Sequence, residues 1–193
     1  CDEKANWYPD IDDIRSKITS RTKAIVVINP NNPTGMLYPR EILEQIVEVA
    51  REAGIMVFAD EIYDRLVMDG LEHTSIASLA DDVPMVTLNG LSKSHCLCGY
   101  RCGWMIISGP RALTEDYKQG IVQLTSLRLC ANTLGQIVIP AALDDMETPM
   151  SMVRPGGRIY EQREATIREL EKIDGLSFVK NKCILYLPEN GCR

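Results

Sequence analysis

Lys93 stands two positions beyond Leu91, just after an apolar run, with Ser92 before it and Arg101 eight residues later. A lysine amine forms Schiff bases when a desolvated or cationic neighbourhood lowers its affinity for protons. Asp60 ends another apolar run, and Tyr63 follows it by three. An aspartate can keep a ring nitrogen protonated, and an arginine can grip a phosphate through two parallel hydrogen bonds. Asn32 lies in a third segment, rich in Pro and Asn, behind a third apolar run. One amine, one carboxylate, one phenol, one amide and one guanidinium therefore each follow a segment that reads as a strand.

These segments define the elements that must position the five side chains. Asp10 and Asp13 precede Ile14 and Ile18, which predicts a short capped helix. The β-branched run Lys23 to Asn29, bounded by Pro30, predicts a buried strand. Residues 30–38 predict a loop, and Pro39 suits a first helical turn. Ile42, Leu43, Ile46, Val47 and Ala50 recur at helical spacing, with Gly54 as the stop. Further strands are expected over Ile55–Asp60, Val83–Leu88 and Gly103–Ser108, and helices over about 111–128 and 133–144. A Pro155-Gly156-Gly157 break precedes a long amphipathic helix through Tyr160, Ile167 and Leu170 to Gly175, and Ser177–Leu187 reads as strand or hairpin.

Strand and helix in alternation predict an α/β fold with a mostly parallel sheet and helices on both faces, a three-layer sandwich. Ligands on such sheets bind beyond the carboxyl ends of the strands. Asn32, Asp60, Tyr63, Lys93 and Arg101 can thus converge on one crevice. Those five groups are the parts of a pyridoxal phosphate (PLP) site.

Composition narrows the alternatives. The chain has 193 residues, 45% hydrophobic and 25% charged, which is a globular profile. Its net charge of −6 and lack of a basic stripe exclude a nucleic-acid surface. No apolar run reaches the length of a membrane span, and Cys1-Asp2-Glu3-Lys4 does not open a signal peptide. Seven cysteines, an odd number in a chain of this size, fit a reducing cytoplasm better than a disulfide framework. His95, Cys96, Cys98 and Cys102 lack the paired spacing of a zinc site, and His73 is distant in sequence, so no metal is expected.

The motifs then carry a family resemblance. Asn29-Pro30-Asn31-Asn32-Pro33-Thr34-Gly35 resembles the N-P-x-N-P-T-G segment of fold-type I PLP aminotransferases. Asp60-Glu61-Ile62-Tyr63 resembles their D-x-x-Y segment. Ser92-Lys93 with Gly99-Tyr100-Arg101-Cys102-Gly103-Trp104 resembles their S-K and G-x-R-x-G segments. All occur in the family's order and spacing, and the resemblance covers about Tyr8 to Leu187. It implies that Lys93 holds PLP as a Schiff base and moves the substrate's α-proton. It further implies that Asp60 faces the pyridine nitrogen and that Tyr63 and Asn32 bond the phenolate oxygen. Arg101 would bind the phosphate, and Asn32 would also help to place the substrate carboxylate.

Leu88 to Lys93, Leu127 to Asn132, and Pro155 to Arg158 with Tyr160 to Arg163 are similar to bacterial glutamate–pyruvate (alanine) aminotransferases. The implied reaction is ping-pong transfer of an amino group between an amino acid and a 2-oxo acid, in a homodimer. A C–S lyase on the same scaffold is the alternative enzyme reading. The family's chain is about twice as long, so the sequence reads as partial. Residues 1–154 would form part of the PLP-binding large domain, and 155–193 the interdomain helix and the start of a small α+β domain. Such a chain is expected to be inactive by itself, and an incomplete sheet could leave a fragment that only self-associates. Three departures stand out: Gly90 where the wider family often has Ser or Thr, His95 where an aromatic is usual, and Cys98 where Ala or Pro is usual.

Overall fold

The computed structural model describes residues 5–183 and the backbone of 189–190. Helix α1 (Ile11–Lys17) starts where the Asp10 carboxylate accepts the Asp13 amide at 3.0 Å. Strand β1 (Ala24–Ile28) leads through the Pro- and Asn-rich loop into helix α2 (Arg40–Ala53). Pro39 stands at the N-cap, one position before the first turn, and its carbonyl accepts from Ile42 and Leu43. Gly54 ends α2 at φ 62°, a left-handed conformation in which a side chain is strained.

Strands β2 (Met56–Asp60), β3 (Met85–Gly90) and β4 (Gly103–Ser108) complete a sheet in the order β1-β2-β3-β4. β1, β2 and β3 run parallel, and β4 is antiparallel to β3. Leu43, Ile46, Val47 and Ala50 of α2 pack on Val27, Val57, Ala59 and Met85 to form the main core on one face. On the other face Phe58 meets Tyr117 of helix α4 (Arg111–Arg128) edge-on, with ring centroids 5.9 Å apart. The expected layering of helices about a mostly parallel sheet is therefore present.

β1 is not the buried strand that its composition predicts. Val27 is buried, but Val26 is 70% exposed. β1 lies at the sheet edge, and Val26 points to the Phe58 face, where among the described residues α4 does not reach it. A run of β-branched residues reports sheet propensity, whereas burial of each face depends on what the rest of the chain lays over it.

Helix α3 (Leu91–Ser94) is a single turn directly after β3. Helices α4 and α5 (Thr133–Asp144) occupy the expected ranges. Helix α6 (Glu147–Val153) was not anticipated, since seven residues with Pro149 give little periodic signal. Helix α7 (Arg158–Leu170) stops before Gly175. Arg163 on α7 is buried, paired with Asp69 at 2.6 and 2.8 Å and donating to the Asn181 carbonyl. Of the segment Ser177–Leu187, Ser177–Phe178 forms strand β5, paired antiparallel with β6 (Glu189–Asn190), Val179–Lys182 is not strand, Cys183 makes an isolated antiparallel bridge to Val67, and 184–187 lie outside the described residues. No described helix is long and apolar enough to cross a membrane.

Candidate active site

The carboxyl ends of β1, β2 and β3 meet at one crevice of about 430 Å³. Asn32, Asp60, Tyr63, Lys93 and Arg101 all line it. Each arrives on a different local device. The loop after β1 is folded on itself: Asn31 donates to the Met36 carbonyl at 2.8 Å and Gly35 donates back to Asn31 at 2.8 Å. The Asn31 side-chain oxygen also accepts from the Thr34 hydroxyl at 2.7 Å. Asn32 is thereby held exposed at the tip. Asn29 at the loop's start donates to the Asp60 carbonyl at 3.0 Å, which fixes this loop against the end of β2.

Asp60 is the last residue of β2, and one carboxylate oxygen accepts the Ile62 amide at 3.1 Å. That bond turns the chain sharply and leaves the other oxygen for a ligand. Tyr63 is buried, packed with Leu66, Met68 and Val153. The Lys93 ammonium lies 5.7 Å from the centre of its ring. Lys93 itself is exposed on α3, whose neighbours Leu91 and Ser94 are buried and anchor the turn. His95 adds a second anchor. Its Nε2 donates to the Asp145 carbonyl at 3.0 Å, so its Nδ1 accepts from the Ser94 hydroxyl at 2.9 Å in the neutral ring. The histidine that replaces the usual aromatic thus ties the lysine's turn to the α5–α6 junction.

Arg101 adopts a left-handed backbone conformation at φ 52°, as does Cys96 at φ 56°. Non-glycine residues held there cost energy that the surrounding structure must sustain, and such positions cluster at functional sites. One Arg101 amine donates to the Cys98 carbonyl at 2.9 Å, which orients the guanidinium and leaves further donors for an anion. Gly90 pairs with Gly103 across β3 and β4, and a Cβ on Gly90 would come within 3.0 Å of the Cys102 carbonyl oxygen. A side chain at this departure point would need the facing strand to give by a few tenths of an ångström.

Sequence reasoning did not single out Ser92, Asn89, Ile28, Ile62 and Leu88 as lining residues. Asn89 donates to an Asp64 carboxylate oxygen at 2.9 Å and accepts the Gly90 amide at 2.7 Å. Its place at the carboxyl end of β3 was the available signal. Cys98 also lines the crevice. No three described His, Cys, Asp or Glu side chains are grouped so as to hold a metal. A larger cavity, about 690 Å³, lies between the loop at Arg65–His73 and the segment Met146–Tyr160, and it contains none of these five residues.

The donor set suits a flat aromatic ring that carries a protonated nitrogen, an acidic hydroxyl and a phosphate arm. A carboxylate, a phenol with an amide, and a guanidinium answer those groups in turn, and an amine stands among them.

Comparison with known proteins agrees. The family model for aminotransferase class I and II matches residues 1–191. The chain is 48% identical over 187 residues to glutamate-pyruvate aminotransferase AlaA of Escherichia coli K12, covering 97% of this chain and 46% of that protein. It is 47% identical over 186 residues to alanine aminotransferase of Mycobacterium tuberculosis, covering 96% of this chain and 43% of that one. A crystal structure of an Escherichia coli aminotransferase superposes with a TM-score of 0.93 at 48% identity, over 97% of this chain and 46% of that one. Alanine aminotransferase from Pyrococcus furiosus gives 0.88 at 42%, over 96% and 47%. The chain spans about half the length of the curated relatives that it matches. Aminotransferases of this family use pyridoxal phosphate. With the family model matching residues 1–191 and the motifs gathered at one crevice, the chain belongs to the class I and II aminotransferases.

Proposed function

We propose that this chain is the cofactor-lysine portion of a PLP aminotransferase that exchanges amino groups between glutamate and pyruvate. The observation that carries this is the convergence of Asn32, Asp60, Tyr63, Lys93 and Arg101 on one crevice. The substrate pair is supported by the two relatives near 48% identity, whose names are glutamate-pyruvate and alanine aminotransferase. When bound, PLP supplies an electron sink for the carbanion formed at the substrate α-carbon. Lys93 would bind the cofactor covalently and, once released, move the proton at that carbon. Asp60 would hold the proton on the ring nitrogen. Tyr63 and Asn32 would hydrogen-bond the phenolate oxygen, Asn32 would also place the substrate carboxylate, and Arg101 would bind the phosphate. The parent would work as a homodimer in the cytoplasm, and the five described cysteines, all free, fit that compartment. Residues 1–154 would belong to the large domain and 155–193 to the start of the small one. The chain alone would not turn over.

Borohydride reduction after incubation with excess PLP, followed by peptide mass mapping, tests the site. The expected result is one phosphopyridoxyl adduct on Lys93, lost in Lys93→Ala. If a full-length parent carrying this segment is not labelled at Lys93, the cofactor reading fails. The same parent should convert glutamate and pyruvate to 2-oxoglutarate and alanine.

A further inference from the structure

His73 and Glu61 have no place in the chemistry proposed above, yet both are buried beside it. Their side chains are 10% and 6% exposed. His73 Nε2 stands 3.1 Å from the Asn29 carbonyl oxygen. A carbonyl only accepts, so Nε2 carries the hydrogen and donates it. The same nitrogen lies 4.0 Å from one Glu61 carboxylate oxygen. The other Glu61 oxygen accepts the Ile76 amide at 3.0 Å, and the Glu61 main-chain nitrogen donates to the Leu88 carbonyl at 2.9 Å. Glu61 therefore fastens the segment that bears His73 to the ends of β2 and β3. The Asp64 carboxylate acts on both groups, and that of Asp60 on Glu61.

Asn29 is clamped from three sides. Its amide donates to the Asp60 carbonyl, its carbonyl accepts from His73, and its side-chain oxygen accepts the Tyr38 amide at 2.8 Å. Asn29 opens the loop that presents Asn32, and Asp60 immediately precedes Glu61. We propose that His73 is a positioning residue: by holding the Asn29 carbonyl, with Glu61 fixing its own segment, it sets the Asn32 loop against the Asp60 end of β2. The role is in hydrogen bonding, not volume. A side chain of equal size without a donor would leave the loop's base unfastened on this side. This inference deepens, and rests on, the reading of the crevice as the cofactor site.

Hydrogen exchange read by mass spectrometry on the cofactor-free chain tests it independently of PLP. The informative amides are Asn31, Gly35 and Tyr38, which bond to Met36, Asn31 and Asn29. The Val57 amide in β2, bonded to Pro84, serves as the internal reference. In His73→Leu the loop amides should exchange about tenfold faster with Val57 unchanged, as loss of one hydrogen bond implies. His73→Gln, whose side-chain amide can donate from a similar place, should restore slow exchange. Equal protection in the Leu and Gln variants would overturn the proposal, as would wild-type exchange in His73→Leu. If His73→Leu also exposes Val57, then His73→Gln decides: native protection in both regions supports the strut, and fast loop exchange with Val57 protected rejects it. Failure of Lys93 trapping would leave this result untouched and would count only against the cofactor reading.

Discussion

Burial pushes the Glu61 carboxyl up from 4.5 to about 7, against the opposing pull of its bonds to Ser75 and Ile76, and the Asp64 and Asp60 carboxylates push the same way. A group whose folded value is raised contributes most below its unfolded value and loses that contribution as pH rises through the folded one. The window here runs from 4.5 to about 7. Glu61→Gln mimics the protonated form at every pH. The wild type should therefore lose stability relative to Glu61→Gln between pH 5 and pH 8, by up to roughly 3 kcal/mol on the scale of 1.4 kcal/mol per pKa unit. Burial holds His73 below its ordinary value, so its own contribution has the opposite sign and is lost as pH falls below that value. Both proteins retain His73, so the difference between them reports the carboxyl together with its coupling to that ring, 4.0 Å away. Urea unfolding at the two pH values measures it, and a difference independent of pH would refute the assignment.

Among elements, α2 is the one whose sequence and structure agree most fully. Its apolar residues face the sheet, Pro39 stands at its entry and Gly54 at its exit. At Gly54 an added Cβ would meet nothing within 4 Å, so a substitution there is felt through the backbone alone. Gly54→Ala should cost about 1 kcal/mol and lower the midpoint of thermal unfolding by roughly 2–4 °C. Gly54→Asn should cost less, because asparagine tolerates the left-handed region. Equal midpoints for all three proteins would contradict the left-handed cap. The α3 turn shows the opposite case. Four residues cannot hold a helix by propensity, so this turn exists because Leu91 and Ser94 are buried and His95 reaches Asp145.

At the scale of the molecule, the described residues leave a broad apolar surface on α4 and α5. Leu127 and Leu129 are 81% and 84% exposed, and Leu124, Leu134 and Ile137 lie open beside them. Val26 on the edge strand is also 70% exposed. Exposed apolar side chains in this number on a lone chain favour association. Light scattering should show a mass that rises with concentration, and Leu124→Glu with Leu127→Lys should lower it. A concentration-independent monomer would reject this expectation.

The alternation of strand and helix from α1 to β4, the ranges of α4 and α5, the face that α2 buries and the identity of the five crevice residues were legible in the sequence, whereas the α3 turn and α6 were not. Local signals determine the legible features: periodicity, caps, and polar residues placed just beyond strand ends. The motif resemblance added their expected roles. Tertiary structure decided what depends on neighbours distant along the chain. It left Val26 of β1 open, and it placed Gly90 where an added Cβ would crowd the Cys102 carbonyl across the strand pair. It also gave His73 a partner 44 positions away in Asn29. Sequence spacing carries no trace of such a contact, because only the parallel crossing of β1 and β2 brings the two segments together.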